Sequence, residues 1–149
     1  MTAFQQTVQQ TLESERIGIP VFVRWLTHLP CNDLAQTLAA MLEIAQSWLQ
    51  AEPVRLYVQG DEGGKQLTAS VVYAAGQTAL VTAVRLTSEE TPKTDLMLLG
   101  NRGAIYHAAA EDSRPAVFDT PPASATLARA VATSCGTGQP IAMREGEAN

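Results

Sequence analysis

The sequence predicts an α+β fold: an open, mostly antiparallel sheet of about six strands, with one long central helix and flanking N- and C-terminal helices on one face. Three observations predict it. Helical periodicity is confined to a short opening stretch, one long segment and one C-terminal stretch. A β-rich run, "IGIPVFVRWL", stands between the first two. Beyond Pro53 the chain becomes a succession of alternating, β-branched segments separated by Gly-rich or polar turns.

Each element has its own signal. Phe4, Val8 and Leu12 recur at fourfold spacing among Gln, Thr and Glu, so residues 3–16 read as an amphipathic helix stopped at Gly18. From Ile19 to Thr27, Val21, Val23 and Trp25 alternate with Phe22, Arg24 and Leu26, which makes a strand with apolar groups on both faces. After Pro30, Asp33 followed by Gln36 resembles a capping box and starts a second helix. Leu34, Leu38, Met41, Leu42, Ala45, Trp48 and Leu49 keep helical spacing until Pro53 forbids continuation.

The runs "VRLYVQG", "QLTASVVYAAG", "TALVTAVRLT", "DLMLLG" and "AIYHAAA" then read as a meander. "DEGGK" and "AAGQT" are hairpin connections, "SEETPK" an exposed polar loop, and "GNRG" a tight join of the last two strands. The Pro-rich "DSRPAVFDTPPAS" is irregular, and "ATLARAVATSCG" is a helix with Leu127 and Val131 inward and Gly136 as its stop. No repeat or linker divides the chain, so residues 1–149 are expected to form a single domain, with a leading helix over 1–17 and a flexible tail over 143–149.

The bulk composition narrows the function classes. The chain has 149 residues, 46% hydrophobic and 17% charged, which suits a globular domain that buries roughly two-thirds of its unfolded surface. No apolar run approaches the ~20 residues of a membrane span, and "MTAFQQTVQQ" lacks the features of a secretion signal, so a soluble cytoplasmic protein is expected. A net charge of −5 without a Lys/Arg cluster argues against nucleic acid and anionic membrane as partners. Cys31 and Cys135 are isolated, so buried reduced thiols are expected, with neither a disulfide nor a metal site.

The chemical motifs are weak. Gly60, Gly63 and Gly64 belong to a hairpin, and "GTGQP" lacks the preceding strand and third Gly of a dinucleotide loop, so no cofactor site is expected. His28, just after a strand, could be drawn with Cys31 and Asp33 as base, nucleophile and orienting carboxylate, but a loop histidine near a helix cap is the plainer reading. His107 has no second histidine at metal spacing. Asp61, Glu62, Glu89 and Glu90 read as solvated turn acids. Arg24, Arg55 and Arg85 sit in strand segments, where a guanidinium clamps a carboxylate or, more commonly, snorkels from the sheet.

The order helix, "RIGIP", strand, long helix, "AEPVRLYV", a strand ending in "AAGQTALV", then "LMLLGNRGAIYH" resembles the C-terminal domain of the Gfo/Idh/MocA oxidoreductases over nearly the whole chain. In that family the run resembling "SERIGIPVFVRW" crosses from the nucleotide-binding domain into the C-terminal sheet. The Gly of "YAAGQTA" resembles its strand-turn glycine, and "GNRG" is similar to its G-T-x-G turn. The resemblance implies that the chain begins where a Rossmann domain would be ending. The Gly-x-Gly-x-x-Gly loop and the Glu-Lys-Pro segment with its catalytic lysine, which that half would bring, do not occur in these residues.

In active relatives the long helix resembles D-x-G-x-H-x-x-D, and the matching positions here are Gln36, Leu38, Ala40 and Glu43. Only Glu43 keeps a carboxylate, and Ala40 stands where the family has its acid/base histidine. The resemblance therefore implies a catalytically silent relative acting as an assembly or binding module, without catalytic residue, cofactor or metal. The expected partner is a second copy, joined through an open sheet face carrying Val72, Leu80, Val84 and Leu86, or a Rossmann-containing oxidoreductase. Two alternatives are an accessory subunit completing a shared active site with Glu43, Arg24 or His28, and a binder of small sugar-acid-like ligands in a pocket between the long helix and the sheet.

Overall fold

The strand that follows Gly18 becomes the middle of a sheet rather than its edge. The computed structural model describes residues 3–61, 63–86, 90, 92–110 and 124–143. Its elements are α1 (Ala3–Glu13), β1 (Pro20–Leu29), α2 (Leu34–Leu49), β2 (Pro53–Gly60), β3 (Gln66–Tyr73), β4 (Thr78–Arg85), β5 (Lys93–Gly100), β6 (Ala104–Ala110), α3 (Ala125–Thr137) and β7 (Ile141–Ala142). The strands form one sheet in the order β6-β5-β1-β4-β3-β2-β7. Every neighbouring pair is antiparallel except β1 and β4.

The expected meander is thus two hairpin runs, β2-β3-β4 and β5-β6, with β1 inserted between them. Parallel neighbours need a long crossover, and the route from β1 to β4 through α2, β2 and β3 supplies it. The seventh strand, β7, adds two residues beside β2, too short a run to leave a periodic signal. Met143 continues this edge by donating its backbone N–H to the Val54 carbonyl and packing against the core. The remainder of the expected tail, 144–149, lies outside the described residues, as do 111–123, Glu62 and Glu89.

Helix α2 begins and ends for local reasons. The Asp33 side chain accepts from the Gln36 N–H at 3.0 Å, satisfying one of the donors a helix start leaves open. Gln50 adopts the left-handed conformation at φ 50° and returns its N–H to Gln46. Helix α1 stops at Glu13, earlier than the expected residue 16, because Glu15 already turns left-handed at φ 57° before Gly18 at φ 77°. Val8 is buried and Leu12 packs against the core, while the Phe4 side chain lies outside the described residues. Helix α3 runs through Gly136, the expected stop, and closes at Gly138, whose φ of 69° suits a residue without Cβ.

The covered face of the sheet is dry. Helix α2 packs over β1, β3 and β4, and α3 over β2. Leu38, Ala39, Met41 and Ala45 are 0% exposed against Val23, Val81, Ala83, Leu67 and Leu98. Trp25 of β1 meets Trp48 of α2 with ring centroids 5.1 Å apart and a 47° tilt. The Trp25 indole Nε1–H donates to Thr94 Oγ1 at 2.9 Å, and Thr94 shares a second bond with Thr27 at 2.8 Å, so the buried polar groups of this layer are paired.

"RIGIP" and "GNRG", far apart in sequence, interlock in space. The Ile19 N–H donates to Asn101 Oδ1 at 2.9 Å, Asn101 N–H to the Ile19 carbonyl at 3.0 Å, and Arg102 N–H to the Ile17 carbonyl at 2.8 Å. A Cβ on Gly100 would press into the Ile17 carbonyl oxygen, so only glycine admits this approach.

Candidate functional site

Strand register divides the expected site residues between the two sides of the sheet. Val23 and Trp25 point to α2, so the intervening Phe22, Arg24, Leu26 and His28 point to the other side. Pairing carries this face across the sheet. Arg24 stands opposite Leu80 of β4 and Met97 of β5, and Leu26 opposite Thr82 and Asp95. None of the described helices packs on this side.

On this side lie Val72, Leu80 and Val84 of the expected oligomer face. Val72 is 41% exposed and Leu80 36%, whereas Val84 is 6% exposed and already covered within the chain. Leu86 falls past the end of β4, half-buried, and donates its N–H to the Leu29 carbonyl. Sequence reasoning missed the rest of the surface: Met97, Leu99 and the 73% exposed Tyr106 share this side through the β1–β5 and β5–β6 registers. The alternation in "DLMLLG" and "AIYHAAA" held that signal, which becomes legible once the order of strands is known.

His28 is within β1, not in a loop after it. Its imidazole is held below the ordinary value of 6.5, mainly by burial and then by the Lys93 ammonium on the facing strand. Asp33 is occupied as the cap of α2. Cys31 and Cys135 form no disulfide and are half-buried rather than fully buried. Lys65 pairs with Glu90 at 3.7 Å, and Asp61 accepts from Gly63 N–H within its own turn at 3.1 Å. No group of His, Cys, Asp and Glu among the described residues is placed to hold a metal ion.

Glu43 sits on α2, across the sheet from Arg24 and His28, so the structure does not bring these three together. Its carboxylate accepts from the Ser124 backbone N–H at 3.3 Å, at the start of α3, where the helix dipole favours an anion. Leu38, on the same helix, is fully buried. The space between α2 and the sheet is filled by side chains. A cavity of 680 Å³ lies instead at the C-terminal end of α2, bordered by Gln46, Glu52, Val54, Ser124 and Leu127.

No family model matches the sequence, and no curated protein matches it by sequence comparison. Solved structures do. A myo-inositol dehydrogenase from Corynebacterium glutamicum superposes with a TM-score of 0.68 at 11% identity, over 95% of this chain and 62% of its own. Myo-inositol 2-dehydrogenase from Lactobacillus plantarum gives 0.68 at 11%, over 96% and 62%. An oxidoreductase from Agrobacterium radiobacter, solved with NAD+, L-tartaric acid and magnesium, gives 0.64 at 16%, over 93% and 61%. The chain therefore spans about three-fifths of the length of the proteins it matches. At these identities the likeness is one of fold. The α+β architecture is that of Gfo/Idh/MocA-type inositol dehydrogenases, and nearly all of this chain superposes on a part of them, as the resemblance to their C-terminal domain anticipates.

Proposed function

We propose that this chain is a catalytically silent relative of the oxidoreductase C-terminal domain and serves as an assembly module through its uncovered sheet face. The observation that carries the reading is the contrast between a fully packed helical face and an opposite face where Val72, Leu80 and Tyr106 stand in solvent beside half-buried Phe22, Leu26 and Met97. Exposed apolar side chains gathered on one uncovered face, here interleaved with Arg24, Thr82 and Asp95, make a surface that a partner can cover. Silence is supported by Ala40 and buried Leu38 on α2, and by a Glu43 carboxylate already engaged at the start of α3.

Light scattering at two protein concentrations tests the assembly role, with a Rossmann-containing oxidoreductase added in a parallel run. A homo-oligomer that Leu80→Lys converts to monomer is the expected result. A folded monomer at both concentrations that ignores the oxidoreductase would refute the reading, and a monomer captured by the oxidoreductase would replace self-assembly with an accessory role. The purified chain should reduce no nicotinamide with NAD+ and myo-inositol, and turnover would refute silence.

A further inference from the structure

Where the C-terminal end of α2 meets β2 and the start of α3, side chains leave the 680 Å³ cavity unfilled. Val54, Leu127 and Met143 give it an apolar wall, and Gln46, Glu52 and Thr126 bring polar side chains to it. A second cavity, of 280 Å³, shares Gln46 and Glu52 as lining and reaches Glu43. Among the described residues no Lys, Arg or His borders either one. Of the two carboxylates, Glu43 is already engaged at the start of α3, where it meets the positive end of that helix. Glu52 is exposed, and its side chain makes no ion pair or hydrogen bond among the described residues. The last turn of α2 carries no basic residue, so the negative end of that helix dipole adds to the Glu52 charge instead of being offset.

We infer that this cavity binds a small organic cation, a primary amine with a short apolar body, whose ammonium sits at Glu52 and whose body lies along Val54, Leu127 and Met143. The volume of 680 Å³ suits a small molecule, for which sites run from roughly 300 to 1,000 Å³. It is far too large for a bare metal ion, and the described residues offer no ligand group for one. Charge decides the head group. A sugar acid, one expectation from the sequence, would bring its carboxylate to Glu52 with no cation to receive it, whereas an ammonium gains a charge-assisted hydrogen bond there. The apolar wall then favours an amine with a hydrocarbon body over a hydrated inorganic cation. Val54 lies on the same side of β2 as buried Leu56 and Val58, so the cavity is on the helical side of the sheet. The inference is therefore independent of whatever covers the opposite side.

Hexylammonium, hexanoate and 1-hexanol carry hydrocarbon chains of similar length and differ in the head group. Titrating each into the full chain by isothermal calorimetry, at fixed ionic strength, therefore reads the contribution of the head. Saturable binding of hexylammonium is expected, with hexanoate and hexanol weaker by about fivefold or more. Glu52→Gln should weaken hexylammonium by about the same factor. That variant keeps the fold, because the structural contact of Glu52 is its backbone carbonyl, which accepts from the Ala74 N–H at 2.9 Å. Asp95→Asn removes an exposed carboxylate on the far side of the sheet and should leave hexylammonium affinity unchanged. Any of four results would overturn the assignment: no saturable binding of hexylammonium, equal affinity for the other heads, a Glu52→Gln variant that binds like wild type, or an equal loss in Asp95→Asn.

Discussion

The two faces of this sheet are built from the same strands and differ in almost every physical respect. On the α2 side, Val23, Trp25, Val81 and Leu98 are at most 1% exposed, and the polar groups that enter, Thr27 and Thr94, bond to each other and to the Trp25 indole. On the other side, apolar and charged residues are interleaved and several remain in water. The first face holds the monomer together. The second is open to solvent at several positions and carries the exposed Arg24 and Asp95.

The sharpest way to break the comparison is the same truncation made on each side. Leu38→Ala opens a cavity under α2 and should lower the unfolding free energy by about 3 kcal/mol, measured by urea denaturation. Leu80→Ala on the open face should cost about half as much or less at concentrations where the chain is monomeric, since that residue is 36% exposed and opens no enclosed cavity. Equal costs would mean that the open face is part of the folding core.

Next in size is Thr94→Val, which keeps the shape but removes the acceptor of the Trp25 indole and the partner of Thr27. A loss of about 1 to 2 kcal/mol is expected, with a shift in tryptophan fluorescence as the check. The smallest effect belongs to His28 on the open face. Its pKa is depressed in the folded chain, so the unfolded chain binds the proton more readily and stability falls as pH drops below about 6.5. Thermal melts of His28→Gln across that range should show a flatter pH dependence than wild type.

Much of this was legible in the residues. The α2 cap at Asp33, the break before Pro53, and the hairpin at "AAGQT" are local events, decided within a few residues by hydrogen bonding and allowed backbone angles. The exposed pair Val72 and Leu80 was also readable from alternation. Misreadings occurred where two local signals compete: Glu15 turned the chain before Gly18 could, and α3 passed through Gly136 to reach Gly138. In sequence His28 looks like a loop residue, but β1 extends two residues beyond its alternating run, held by pairing to β4 and β5.

Sequence by itself determined which segments are helical or extended, and that both faces of β1 carry apolar groups, because side-chain period and capping are short-range properties of the chain. Only the tertiary structure decided that β1 lies between β4 and β5, that "RIGIP" and "GNRG" clasp each other, and that Glu43 stands across the sheet from Arg24 and His28. Strand order and register depend on contacts between residues tens of positions apart. Their energies are settled jointly by burial under α2 and by hydrogen bonds along the whole sheet, and no local pattern encodes them.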